Sequence, residues 1–197
     1  MFKKVETENE QAIFEQIWSD VCEEKGFLPD PCVDHATRYL IDNRLVVNGQ
    51  TVVPEEGFQY IGTIELVPYN PAVYTTVEGR FEPYDTYHKV KDHGHRTFEI
   101  DKLCITKDYR SKGHLPDVLH ALMEHGEEAN VKYYIATTEY AFYRTLKIGC
   151  SVKLEQIGDR IRRPKNSMIP MLCDVDVLFA RIDEYEWYQH PRKLSEV

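Results

Sequence analysis

No stretch of this sequence approaches the ~20 consecutive apolar residues that a membrane-spanning helix needs, and its first residues, MFKKVETENEQ, lack the apolar core of a secretion signal. A cytoplasmic protein with no membrane span is therefore expected. Cysteine is sparse. Cys22, Cys32, Cys104, Cys150 and Cys173 are odd in number and include no CxxC pair, which argues against a disulfide framework and for small buried thiols in a reducing compartment. No His or acidic partner can be assigned to any of them, so a cysteine nucleophile is not favoured. Positive charge is in deficit too: the formal net charge is -9, the opposite of the basic surface that a nucleic-acid partner would require. There is no internal repeat and no sign of a second domain.

What remains is the composition of a globular protein, with 42% hydrophobic and 29% charged residues in a chain of 197. That length fits a single domain over 1–197 with a substantial core. The 13 tyrosines combine apolar area with a hydroxyl, which suits the lining of a cleft as well as a core. Residues 2–7 read as a first strand, with Asn9 as the cap of a helix over 12–24. Ile13, Phe14, Ile17, Trp18 and Val21 form its apolar stripe, and Gly26 ends it. Residues 37–53 supply one or two strands, and Asn48-Gly49 signals a hairpin turn, either of an inserted hairpin or within a central meander. Residues 60–67 form a strand ending at Pro68. Residues 68–96 are irregular, which in a compact domain marks a functional or poorly ordered segment. His93-Gly94-His95, with Asp92 and His88 nearby, matches no standard ligand spacing, and no metal is expected there.

The chain is organised around residues 97–128. Leu103, Cys104 and Ile105 end a strand, residues 107–112 form a polar connection, and Leu115, Val118, Leu119 and Leu122 recur at helical spacing. Such a connection lies at a helix N-terminus, where unpaired N–H groups and the helix dipole favour an anion. Arg110, Ser111, Lys112, Gly113, His114 and Leu115 are thus candidates for receiving a phosphate. Gly113 allows close backbone approach, and Pro116 is tolerated in a first helical turn. A second strand and helix follow over 132–138 and 139–147, which predicts a locally parallel strand pair. Residues 151–157 read as a strand, 158–166 as a basic turn and 167–173 as a last strand. Asp174 is expected to cap a helix over about 174–189 bearing Val175, Leu178, Phe179, Ile182 and Tyr185.

Arg110-Ser111-Lys112-Gly113-His114-Leu115 resembles the pyrophosphate-binding signature of the GNAT superfamily of N-acyltransferases, Arg/Gln-x-x-Gly-x-Gly/Ala, with Leu115 in place of the small residue. Phe142-Tyr143, followed by Leu146 and Gly149, resembles the Phe-Tyr-x-x-Leu-Gly-Phe region of such folds, with one extra residue before the glycine and Cys150 in place of the aromatic. A closer likeness is to the branch that makes N-acyl amino acids and acyl-homoserine lactones. It rests on Ile61-Gly62-Thr63-Ile64-Glu65-Leu66-Val67-Pro68, similar to Val-x-Gly-Thr-x-Arg-Leu-Val-Pro, and on Phe98-Glu99-Ile100-Asp101-Lys102-Leu103, similar to Trp-Glu-x-Ser-Arg-Phe. Glu65 and Lys102 stand where that branch has arginines, which removes guanidinium forks suited to a carboxylate or lactone.

The resemblance implies an α/β (α+β) fold: a mixed, mostly antiparallel central sheet flanked by helices, with a parallel strand pair at the cofactor site. It implies an enzyme that moves an acetyl or other acyl group from acyl-coenzyme A, as co-substrate, to a primary amine, with acetyl transfer the simplest case. Alternatives are a long-chain synthase drawing on acyl-coenzyme A or acyl carrier protein, and a non-catalytic acyl-coenzyme A-binding module. Amine attack on a thioester needs a base, dipoles for the oxyanion and an acid for the thiolate. Glu99 is the first candidate base and Glu65 the second. Tyr143 is the candidate acid, with Tyr140 beside it, and the backbone of Leu103, Cys104 and Ile105 would bond the thioester carbonyl and pantetheine. The partners implied are a small-molecule amine, an acyl carrier protein docking on basic residues 160–165, and a second copy of the chain.

Overall fold

The structure, a computed structural model, describes residues 1–47, 50–70, 87–162 and 167–189. The chain divides into two compact units interleaved in sequence. The first contains Met1–Val67, Asp101–Leu122 and residues 187–189, and the second contains Pro68–Ile100 and Met123–Glu186.

In the first unit, strand β1 (Phe2–Lys4) leads into helix α1 (Glu8–Lys25). The cap is Thr7 rather than Asn9. Thr7 is extended, its hydroxyl accepts from the Glu10 N–H, and the Glu10 carboxylate accepts from the Thr7 N–H in return. This reciprocal box satisfies two donors of the open helix end, and the helix consequently starts four residues before 12. Glu10 also pairs with Lys3. The Lys3 hydrogen bond and the Glu6 and Thr7 amides hold its carboxyl down at about 2, so this brace is present above the ordinary glutamate range and is lost only as pH falls towards 2. Gly26 ends the helix in the left-handed region.

Phe14, Ile17 and Val21 of α1 pack with Leu40 of β2 (Thr37–Asp42) and with Cys104. This fulfils the stripe expected from the sequence, with Ile13 and Trp18 at its margin. Strand β2 pairs antiparallel with both β1 and β5 (Tyr60–Pro68). β3 (Leu45–Val47) and β4 (Gln50–Val52) make a separate two-stranded sheet. The hairpin is therefore an insertion; its expected turn residues, Asn48 and Gly49, lie outside the described residues. β5 is buried on both faces from Ile61 to Val67, and its neighbour in the sheet is β6 (Thr97–Ile105). Gly62 is required at that approach: a Cβ there would lie 2.5 Å from the Cys104 carbonyl oxygen.

Strand β6 begins in the second unit and ends in the first. Its burial alternates through Thr97 and Glu99, slips by one residue, and resumes at Lys102 and Cys104. Lys102 takes φ 44°, uncommon for a residue with a Cβ, and its N–H is taken up by the Asp101 carboxylate at 2.8 Å. In the second unit β6 runs parallel to β7 (Tyr133–Glu139), with Thr97, Phe98 and Glu99 opposite Tyr133, Tyr134 and Ile135. β7 pairs antiparallel with β10 (Ser167–Asp174), which also pairs antiparallel with β8 (Leu154–Gln156) and β9 (Ile161–Arg162). The expected class is observed: a mixed, mostly antiparallel sheet with one parallel pair and flanking helices.

Two elements of the second unit differ from expectation. Helix α2 (His88–His93) lies inside the stretch expected to be irregular, anchored by Val90 against Tyr69, Tyr133, Ile135 and Leu172; residues 71–86 lie outside the described residues. The C-terminal helix is three pieces: α5 (Val175–Ala180), a 3-10 turn (Ile182–Glu184) and α6 (Glu186–Gln189). Asp174 caps α5 as expected. Tyr185 and Trp187 are both buried two residues apart, a spacing that one helix face cannot serve, and the extended Tyr185 resolves the conflict. Among the described residues no helix is long and apolar enough to cross a membrane.

Candidate active site

After β6 the first unit continues through a 3-10 turn (Lys107–Tyr109) and residues 110–114 into helix α3 (Leu115–Glu128). Ser111 and Gly113 take φ 61° and 90°, so the backbone enters the left-handed region twice within three residues. Within the turn the Arg110 N–H reaches the Lys107 carbonyl at 3.4 Å and the Lys112 N–H reaches the Tyr109 carbonyl at 3.3 Å. Among the described residues the N–H groups of Ser111, Gly113, His114 and Leu115 have no backbone partner. Ser111 and Lys112 are exposed and Gly113 is half-buried, so the turn is open to solvent. Those four amides open a 14-residue helix, the end at which unpaired N–H groups and the helix dipole favour negative charge.

Of the side chains around this turn, Arg110 is less free than the sequence suggests. The Arg110 Nε donates to the Ile105 carbonyl at 2.8 Å, and its two terminal nitrogens fork onto Glu24 at 2.6 and 2.7 Å. His114 is buried with its Nδ1 3.6 Å from the Asp117 carboxylate. The Lys112 ammonium lies over the Tyr109 ring, 5.2 Å from its centroid. Of the strand residues, Cys104 is buried beside the Thr63 hydroxyl, 3.0 Å away, while Leu103 and Ile105 are half-buried.

Glu65 and Lys102 meet in the core of the first unit. The Lys102 ammonium is fully buried and donates to Glu65 at 2.7 Å, to Asp30 at 3.1 Å and to Asp101 at 3.1 Å. Burial pulls its pKa down, but Asp101 and Glu65 overcome that and raise it above the ordinary lysine value. Burial pushes the Asp101 carboxyl up, against the ammonium beside it. Glu65 is itself fully buried and also accepts from the Arg38 Nε at 2.8 Å and the Val33 N–H at 3.1 Å. Three of its roughly four acceptor sites are thus taken. That arrangement suits a fixed counter-ion better than a proton carrier. No local sequence pattern signals it, because Glu65 and Lys102 are 37 residues apart.

Glu99 and Tyr143 belong to the second unit. Glu99 is 2% exposed on β6. Tyr143 is buried on helix α4 (Tyr140–Arg144), its ring stacked on Tyr140 at 6.5 Å and its hydroxyl accepting from the Lys147 ammonium at 3.0 Å. α4 runs directly into a π-helical turn (Thr145–Gly149) closed by the Cys150 N–H on the Thr145 carbonyl. This wide turn absorbs the extra residue that the sequence carries before Gly149, and such turns recur at functional sites. Of the basic stretch expected to dock a carrier protein, Arg160 lies over the Tyr140 ring at 3.9 Å and bonds Ser167; residues 163–166 lie outside the described residues. None of the five cysteines is in a disulfide, and burial pushes each thiol upward, Cys104 and Cys150 to about 11 and Cys173 to about 12. None is poised as a nucleophile. Among the described residues no group of three or more His, Cys, Asp or Glu could hold a metal ion.

No protein-family model and no curated protein matches the chain. Solved structures do. The CoA-dependent acyl-homoserine lactone synthase MesI is similar over 100% of this chain and 96% of its own, with a TM-score of 0.60 at 15% identity. The N-acyl amino acid synthase FeeM, from uncultured soil microbes, is similar over 89% and 92%, with a TM-score of 0.58 at 12% identity. A Lactobacillus plantarum protein assigned as an N-acetyltransferase is similar over 89% and 97%, with a TM-score of 0.56 at 13% identity. The chain has the GNAT-like fold. In this GNAT-like chain the strand, turn and helix formed by β6, residues 110–114 and α3 are continuous in one chain segment, and the neighbours named are acyl-transferring enzymes.

Proposed function

We propose that the protein is an N-acyltransferase that moves an acyl group, in the simplest case acetyl, from acyl-coenzyme A to a primary amine. The observation that carries the reading is the open turn at the start of α3, whose four unbonded amides and left-handed Ser111 and Gly113 suit a diphosphate. In the proposed reaction the amine nitrogen attacks the thioester carbonyl and the C–S bond breaks. Glu99 accepts the proton lost by the amine, and the Tyr143 hydroxyl gives its proton to the departing thiolate. Lys147 supports that role for Tyr143, since its ammonium donates to the phenol oxygen and would stabilise the charge left there. Glu65, held by two cations, serves as a fixed counter-ion.

A second reading, a long-chain synthase of N-acyl amino acids or acyl-homoserine lactones, is favoured by what MesI and FeeM are said to make. Against it, Arg38 and Lys102 are already engaged by Glu65, so neither offers a free fork to an acceptor's carboxylate. Incubation with acetyl-coenzyme A or long-chain acyl-coenzyme A and a panel of amines and amino acids, read by mass spectrometry, tests both. Acetylated simple amines are expected. Transfer confined to long-chain donors and amino acids would support the second reading, and binding without turnover would overturn the first in favour of a non-catalytic acyl-coenzyme A-binding module. The variant Tyr143→Phe is expected to slow kcat by about 10²-fold while leaving coenzyme A affinity unchanged; a wild-type rate would remove Tyr143 from the reaction.

A further inference from the structure

The sequence pattern offers Arg110 as a direct ligand of the anion, yet each of the three nitrogens of its guanidinium already donates to a protein partner. Its Nε holds the carbonyl of Ile105, the last residue of β6, and its fork holds Glu24 near the C-terminal end of α1. One side chain thus ties together the strand that enters the turn, the turn itself and a helix from elsewhere in the first unit. The Glu24 carboxyl is lowered by this hydrogen bond. Both side chains are 32% exposed, and an ion pair so placed adds little to global stability. Its effect is geometric, because a bidentate fork fixes direction as well as distance.

We propose that Arg110 is a positioning residue: with Glu24 it fixes the turn so that the Ser111, Gly113, His114 and Leu115 amides stay unbonded and outward, and the diphosphate is met by those amides rather than by the guanidinium. This rests on the reading of the turn as the acyl-coenzyme A seat. The two roles for Arg110 predict opposite signs for Glu24→Gln. If Arg110 were a ligand restrained by Glu24, removing the carboxylate charge would release the fork and tighten binding. If Arg110 positions the turn, the same change slackens it.

The experiment is calorimetry with coenzyme A on wild type, Glu24→Gln, Arg110→Lys and Arg110→Ala. The expected result is binding about fivefold weaker in Glu24→Gln, and Arg110→Lys as weak as Arg110→Ala, since lysine keeps the charge but loses the fork. With acyl-coenzyme A as substrate, KM rises and kcat at saturation holds. Tighter or unchanged binding in Glu24→Gln, or near-wild-type binding in Arg110→Lys, overturns the inference and leaves the seat intact. A wild-type protein that binds no coenzyme A overturns the seat and the inference with it.

Discussion

Gly113→Val is expected to abolish coenzyme A binding in calorimetry at concentrations that saturate the wild type. Gly113 takes φ 90°, where a β-branched residue is a genuine outlier. Valine must therefore either bear strain of about 1–3 kcal/mol or swing the peptide units on both sides, and either response displaces the amides that form the seat. Its methyl groups also project where the backbone must approach an anion closely. The turn is open to solvent, so little core packing is at stake, and the melting temperature should fall by only a few degrees, at about 2–4 °C per kcal/mol for a chain of this size. Unchanged affinity would mean that the anion is held elsewhere.

Glu65→Ala has the largest expected effect on stability. The substitution deprives a fully buried ammonium and a largely buried guanidinium of their common partner, and breaking a buried pair from one side costs about 3–5 kcal/mol, a large share of the ~5–15 kcal/mol that holds a domain together. Urea unfolding should show that loss as a lower midpoint with an unchanged slope. A loss below about 1 kcal/mol would mean that the network is not structural. The pH dependence has a definite sign. Lys102 is raised above its ordinary value, so its contribution is complete below about 10.4 and is lost as pH rises beyond that.

The strand, turn and helix over residues 97–128 were legible in the sequence because their signals are local. Leu115, Val118, Leu119 and Leu122 follow helical spacing, the polar connection precedes them, and Gly113 sits where φ must be positive. The parallel pairing of β6 with β7 followed from two strand-helix units in succession. The Thr7 cap was equally local, written as Thr-x-x-Glu over residues 7–10, and Asn9 drew the assignment only because its side chain can also cap. Helix α2 could not be read, since a single buried Val90 among His, Lys and Asp leaves no periodicity. The π-turn left a trace in the spacing of Leu146 and Gly149, a departure whose structural meaning depends on the i to i+5 bond at Cys150. The Glu65 network left none. Its members come from residues 30, 38, 65, 101 and 102, and a glutamate inside an apolar strand acquires meaning only when its distant cations are known.

The central claim is that the amides opening α3 receive the diphosphate of coenzyme A, and amide NMR reads those groups directly. Titrating coenzyme A into ¹⁵N-labelled protein should give the largest ¹H–¹⁵N shifts at Ser111, Gly113, His114 and Leu115, with the hydrogen-bonded Lys112 amide moving less. Saturable shifts confined to other residues, with these four amides unmoved, would contradict the account.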